Sequence, residues 1–133
     1  MIASTPQILV VDDDPEIRKL LARYIESQGF RVRLAANCRE LREQLTTHQI
    51  DLVVLDVMLP DGSGLDMCRD LRAQHSNVPI IMLSTEYKAE AMREALSHGA
   101  DDYIRMPFGI RPFVARIRAK LRRSHNNPLP NDF

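Results

Sequence analysis

Apolar and polar positions follow two rhythms along this chain. Ile8 to Val11 is an unbroken apolar run that stops at Asp12, Asp13 and Asp14, the pattern of a short strand buried on both faces. Asp14-Pro15 then predicts the N-cap and first residue of a helix, because proline lacks only an N–H that a first turn leaves unbonded anyway. Ile17, Leu20, Leu21 and Tyr24 fall on one face of that helix, and Gly29 is placed to stop it. Phe30, Val32 and Leu34 alternate with Arg31 and Arg33, as in a strand with one wet face at or near a sheet edge. A second helix is predicted from about Asn37, with Leu41 and Leu45 inward. Leu52 to Leu55 is apolar at every position and ends in Asp56, which predicts a central parallel strand.

Pro60-Asp61-Gly62 is a turn signal, and Leu65, Cys68 and Leu71 mark a third helix. Val78-Pro79 leads into a buried strand, Ile80 to Leu83, that ends at Ser84. Ala89, Met92, Ala95 and Leu96 give a fourth helix stopped by Gly99, Asp102 to Arg105 a fifth strand, and Phe113, Val114, Ile117 and Leu121 the inner face of a last helix. Strands alternating with helices build a parallel sheet covered on both faces through right-handed crossovers. The expected fold is a three-layer α/β sandwich with five strands and five helices. From Ser124 onward the sequence has no period and holds Pro128 and Pro130, so residues 124–133 read as a linker or disordered tail and residues 7–123 as one domain.

Composition narrows the classes of function. A chain of 133 residues holds one compact domain, and 44% hydrophobic with 27% charged residues is globular usage. Lys+Arg and Asp+Glu balance at 18 each, which excludes the whole domain as a generic binder of polyanions. The basic run Arg116, Arg118, Lys120, Arg122 and Arg123 has no interleaved aromatics and reads as a solvated face or a dimer interface. Cys38 and Cys68 have neither zinc nor disulfide-framework spacing, so a reducing cytoplasm is the expected location. No apolar stretch approaches the roughly 20 residues that span a bilayer, and no membrane partner is expected.

The chemistry is expected beyond the carboxyl ends of the strands, where open parallel sheets bind ligands. If the first and third strands are neighbours, Asp12, Asp13 and Asp56 converge there, while Asp14 serves as a helix cap. Three ionised carboxylates repel one another unless a cation or proton intervenes. An all-oxygen site with few protein ligands suits Mg²⁺ better than Zn²⁺. Phosphoryl transfer is then the natural chemistry, with a carboxylate as nucleophile.

Ile8-Leu9-Val10-Val11-Asp12-Asp13-Asp14, Asp51 to Gly62, Pro79 to Ser84 and Gly99-Ala100-Asp101-Asp102-Tyr103 occur in an order and at a spacing that resemble the receiver domain of bacterial response regulators. The resemblance implies a flavodoxin-like strand order, 2-1-3-4-5, and no enzyme beyond catalysis of its own phosphorylation and dephosphorylation. It makes Asp56 the phosphoacceptor for a sensor histidine kinase. Asp12, Asp13, Asp56 and the Met58 carbonyl become the Mg²⁺ ligands, Ser84 the switch hydroxyl and Tyr103 the switch aromatic. Met106-Pro107 is implied as a cis peptide. The blocks look most like the winged-helix transcription-factor branch. There the fourth helix, fifth strand and last helix form a homodimer face, with Asp102 and Arg116, and Asp101 and Arg123, as the pairs this sequence keeps. DNA would be reached only through an output domain after residue 123; with ten residues left, the chain reads as an excised receiver or a single-domain regulator.

One position departs from the family. Met106 stands where a switch lysine is expected, and Arg105 should point to the other face because strand side chains alternate. Without the ammonium the site is one unit more negative, so carboxylate pKa values should rise and a metal should offset more repulsion. The favoured reading keeps phosphorylation with weakened coupling to Ser84; the alternative is a degenerate, phosphorylation-independent receiver. A small Mg²⁺-dependent phosphatase is the competing enzyme reading, and a flavodoxin-like cofactor binder lacks a Gly-rich phosphate loop after the first strand.

Overall fold

The computed structural model describes residues 5–85 and 89–126. In chain order it holds β1 (Gln7–Val11), α1 (Pro15–Ser27), β2 (Arg31–Ala35), α2 (Cys38–Thr47), β3 (Leu52–Asp56), β4 (Met58–Leu59), β5 (Gly62–Ser63), α3 (Gly64–Ala73), β6 (Ile80–Ser84), α4 (Ala89–Ser97), β7 (Asp102–Arg105) and α5 (Ile110–Asn126). Local chemistry sets these boundaries. The Asp14 carboxylate accepts the Glu16 N–H at 2.9 Å to cap α1, with Pro15 in the first turn. Gly29 takes the left-handed φ of 94° that ends it. Asn37 caps α2 through the Glu40 N–H at 2.8 Å, while Glu40 reaches back to the Ala36 N–H.

The main sheet is parallel throughout, in the order β2-β1-β3-β6-β7. This is the expected 2-1-3-4-5 once β4 and β5, which pair only with each other, are set aside. That two-residue hairpin was expected only as a turn. The sheet separates two cores. Leu9, Val11, Val53, Leu55, Ile80 and Met82 face one side with Leu41, Cys68, Leu71 and Ala95. Ile8, Val10, Leu52, Val54, Ile81 and Leu83 face the other with Leu21, Ile25, Phe113 and Ile117. Helices α2, α3 and α4 therefore cover one face and α1 and α5 the other, giving the three-layer sandwich.

Three apolar expectations shift. Leu20 and Tyr24 of α1, Leu34 of β2, and Met92 and Leu96 of α4 are exposed. On α1 the buried line runs through Leu21 and Ile25, about a hundred degrees around the helix from Leu20 and Tyr24. On α4 only the small Ala95 is fully buried. Leu34 lies on β2, the edge strand of the sheet, where the covering helix layer runs out. The expected inner face of α5, Phe113, Val114, Ile117 and Leu121, is buried throughout. Helix α5 continues to Asn126, and the rest of the expected tail, 127–133, lies outside the described residues.

Candidate functional site

Register brings the acidic residues together. Val11 of β1 pairs with Leu55 of β3, so Asp12 and Asp56 are the next positions on adjacent strands. Both share the parity of Val10 and Val54 and leave the sheet on the α1/α5 side. Asp13 follows at the turn into α1. Ligand oxygens of the three carboxylates lie within 4.8 Å of one another.

The three environments differ. Asp12 is buried, at 2% exposure, and one of its oxygens accepts the Asp14 N–H at 2.9 Å. Burial raises its pKa above the usual carboxylate range; the Asp14 bond opposes the rise, and the Asp13 and Asp14 charges add to it. Asp56 is half-buried and Asp13 exposed. Burial pushes the Asp56 carboxyl up to about 6, against a hydrogen bond from the Met58 N–H at 3.2 Å and with the charges of Asp12 and Asp13. In both groups burial is the largest cause of the rise, and the neighbouring carboxylate charges rank behind the opposing backbone hydrogen bond. Three oxygen donors this close, two of them destabilised as anions, form a set that fits a hard divalent cation such as Mg²⁺.

Ser84 and Tyr103 lie on the other parity. Each is only 8% exposed, and with Val57, Leu65, Ala91 and Glu94 they border a cleft of about 250 Å³ beneath α4. Tyr103 is thus already turned inward. Met106 directly follows β7, and its N–H donates to the Ser84 carbonyl at the end of β6 at 2.7 Å; its peptide bond to Pro107 is cis. Its side chain packs on the α1/α5 core and borders an apolar cleft of about 300 Å³ with Ile17, Leu20, Tyr24 and Phe108. Arg105 is exposed and shares the parity of Tyr103. Met58 has its side chain in solvent, at 78% exposure.

On the α4/β7/α5 face, Arg116 pairs with Asp102 of the same chain at 3.2 Å and donates to the Tyr103 carbonyl. Asp101 accepts Arg72 and the Ile80 N–H of its own chain, each at 2.8 Å; its expected pairing with Arg123 is one between two chains. Arg72 also holds the Gly99 and Val78 carbonyls. Sequence reading missed this clamp, and it missed Asp61, whose carboxylate accepts the Cys38 and Arg39 N–H groups at 2.8 and 3.1 Å. The signal for Asp61 was present only as an acidic residue within a turn.

Among the described residues, no helix is long and apolar enough to cross a membrane. Residues 8–118 match the family model described as the response regulator receiver domain. The chain is 45% identical over 131 residues to the alkaline phosphatase synthesis transcriptional regulatory protein SphR of Synechococcus elongatus, covering 92% of this chain and 51% of that one. It is 40% identical over 122 residues to the DNA-binding response regulator MtrA of Mycolicibacterium smegmatis, covering 92% and 53%. The chain thus spans about half the length of these curated relatives. Its fold is similar to the solved receiver domain of the Francisella response regulator 1452, with a TM-score of 0.87 and 32% identity over 90% of this chain and 99% of that one.

Proposed function

The chain belongs to the response regulator receiver domain family, and on that premise we propose that it accepts a phosphoryl group on Asp56 from a sensor histidine kinase in the cytoplasm. Asp12, Asp13, Asp56 and the Met58 carbonyl would hold Mg²⁺. The observation that carries this reading is the convergence of three carboxylates within 4.8 Å at the ends of β1 and β3.

The attacking group is an Asp56 carboxylate oxygen. Its bond to phosphorus forms as the bond from phosphorus to the donor's imidazole nitrogen breaks in line, and the imidazole leaves with the electron pair. A carboxyl near 6 is mostly ionised at neutral pH and is a more basic nucleophile than an ordinary aspartate. The Met58 N–H orients one of its oxygens. Bound Mg²⁺ supplies the positive charge that neutralises the phosphoryl oxygens. The Ser84 hydroxyl then donates a hydrogen bond to the acylphosphate, while Tyr103 keeps its inward place beside the cleft beneath α4.

The names of the relatives support a transcriptional output, with DNA contacted by an output domain and not by this one. Self-association through the α4/β7/α5 face belongs to the same reading. The domain turns over no external substrate beyond its own phosphorylation and dephosphorylation. A second reading, a receiver that signals without phosphate, is favoured by Tyr103 already lying inward and by Met106 in place of a lysine.

Incubation with a small phosphodonor and Mg²⁺, followed by intact-mass measurement, separates the two. The expected result is a gain of one phosphoryl group that Asp56→Asn abolishes; no gain in the unaltered protein leaves the degenerate reading.

A further inference from the structure

The hairpin that follows Asp56 is fixed at its base and at its tip by different parts of the molecule. At the base, the Val57 N–H donates to the Leu83 carbonyl of β6 at 3.1 Å, and the Gly64 N–H donates to the Val57 carbonyl at 2.7 Å. At the tip, Asp61 crosses to α2. Its two carboxylate oxygens accept the first two N–H groups of that helix, from Cys38 and Arg39. Asn37 accepts the third, from Glu40. The first-turn donors that would otherwise be orphans are thus shared between a local cap and one from 22 residues further along the chain. An anion at a helix N-terminus is also favoured by the helix dipole. In accord with this, the Cys38 N–H, ahead of other causes, holds the Asp61 carboxyl below the usual range. The approach is close elsewhere too, since a Cβ at Gly62 would lie 3.3 Å from the Cys38 Sγ.

Met58 stands between base and tip, paired with Ser63. Its side chain is mostly in solvent, at 78% exposure, and so gives the hairpin little anchorage. The placement of its carbonyl is therefore left to the backbone ties of the hairpin. We propose that Asp61 is a positioning residue for the cation site, latching the β4/β5 hairpin onto the N-terminus of α2 and thereby holding the Met58 carbonyl toward the carboxylates. The inference rests on the Mg²⁺ reading above and extends it to α2, which carries none of the ligands.

The test is calorimetric titration of the full chain with MgCl₂, alongside amide NMR spectra and unfolding midpoints of the metal-free proteins. Asp61→Ala should weaken Mg²⁺ binding by about tenfold, the scale of lost outer-shell support, and should shift the Met58 and Leu59 amide resonances before any metal is added. Asp61→Asn, which keeps an acceptor oxygen but loses the charge, should fall between the two. Unchanged Mg²⁺ affinity in Asp61→Ala overturns the proposal, even if the unfolding midpoint drops. If the alanine variant does not fold, unchanged affinity in Asp61→Asn has the same force. Absence of Mg²⁺ binding in the unaltered protein, or binding that survives Asp13→Ala, removes the site reading itself and the latch with it.

Discussion

A carboxylate that is to attack phosphorus must be ionised, yet burial at the end of β3 pushes Asp56 up to about 6. Because the folded value exceeds the ordinary value of 3.8, the native state holds the extra proton within that window. Ionised Asp56 therefore costs stability above about pH 6, and the cost fades as the pH falls through the window. Metal-free protein should gain stability relative to Asp56→Asn when the pH is lowered from about 7 to about 5, as denaturant titrations at each pH would measure. A difference that does not change with pH would count against a raised Asp56. Met106 bears on the same balance. Met106→Lys exchanges a side chain seated in the α1 cleft for a cation beside the carboxylates and should weaken Mg²⁺ binding roughly three- to tenfold, measured calorimetrically. Equal or tighter binding would show that position 106 does not reach the site. The acidic residues were legible in sequence because each ends an apolar strand. Where the Met106 side chain would go was not, since the apolar cleft that takes it is assembled from α1 and the loop before α5.

Elements explain the rest of the site's geometry, and here the sequence was less informative. Continuous apolar runs predicted β1, β3 and β6 because a central strand has no wet face, and caps predicted α1 and α2. Helix α4 was harder. Its apolar period was read as a core stripe, yet the structure buries Ala95 and leaves Met92 and Leu96 outside, since packing depth depends on neighbours that periodicity does not name. The β4/β5 hairpin escaped because two-residue strands leave no period. Its join to α3 depends on Gly64, where a Cβ would lie 2.2 Å from the Asp56 carbonyl oxygen and 3.0 Å from the Val57 Cα. Those neighbours are backbone and cannot rotate aside. Gly64→Ala should therefore displace the start of α3 from Asp56 and cost about 2 kcal/mol or more. Equilibrium unfolding gives the stability term, and the rate of acquiring a phosphoryl group from a small donor should fall with it. A variant as stable as the unaltered protein would show that the hairpin and α3 yield more easily than a fixed backbone contact allows.

At the scale of the whole molecule, charge is neutral in sum but divided in space. Carboxylates gather at the ends of β1 and β3, while α5 carries six of the 18 basic residues and no acidic one. The α4/β7/α5 face joins this basic helix to exposed apolar side chains, Met92 at 42% and Leu96 at 43%. Exposed aliphatic area on a helix favours association, while ion pairs at its margin specify partner and register more than strength. In the single chain Arg116 already satisfies Asp102 and Arg72 satisfies Asp101. An association that exchanges these for pairs between chains gains little from charge and must rest on the apolar side chains. Self-association should therefore be weak, and more sensitive to Met92→Glu than to removal of an ion pair. Asp102→Arg is a sharper electrostatic probe, because it sets two positive charges side by side at Arg116 and should repel a second basic face as well. Sedimentation velocity over a concentration series should show the unaltered protein associating reversibly, Asp102→Arg shifted toward monomer, and Met92→Glu monomeric. If the unaltered protein associates and neither substitution alters it, the contact lies on another face. The exposed leucine and tyrosine of α1 beside Met106 would then be the next apolar surface to substitute.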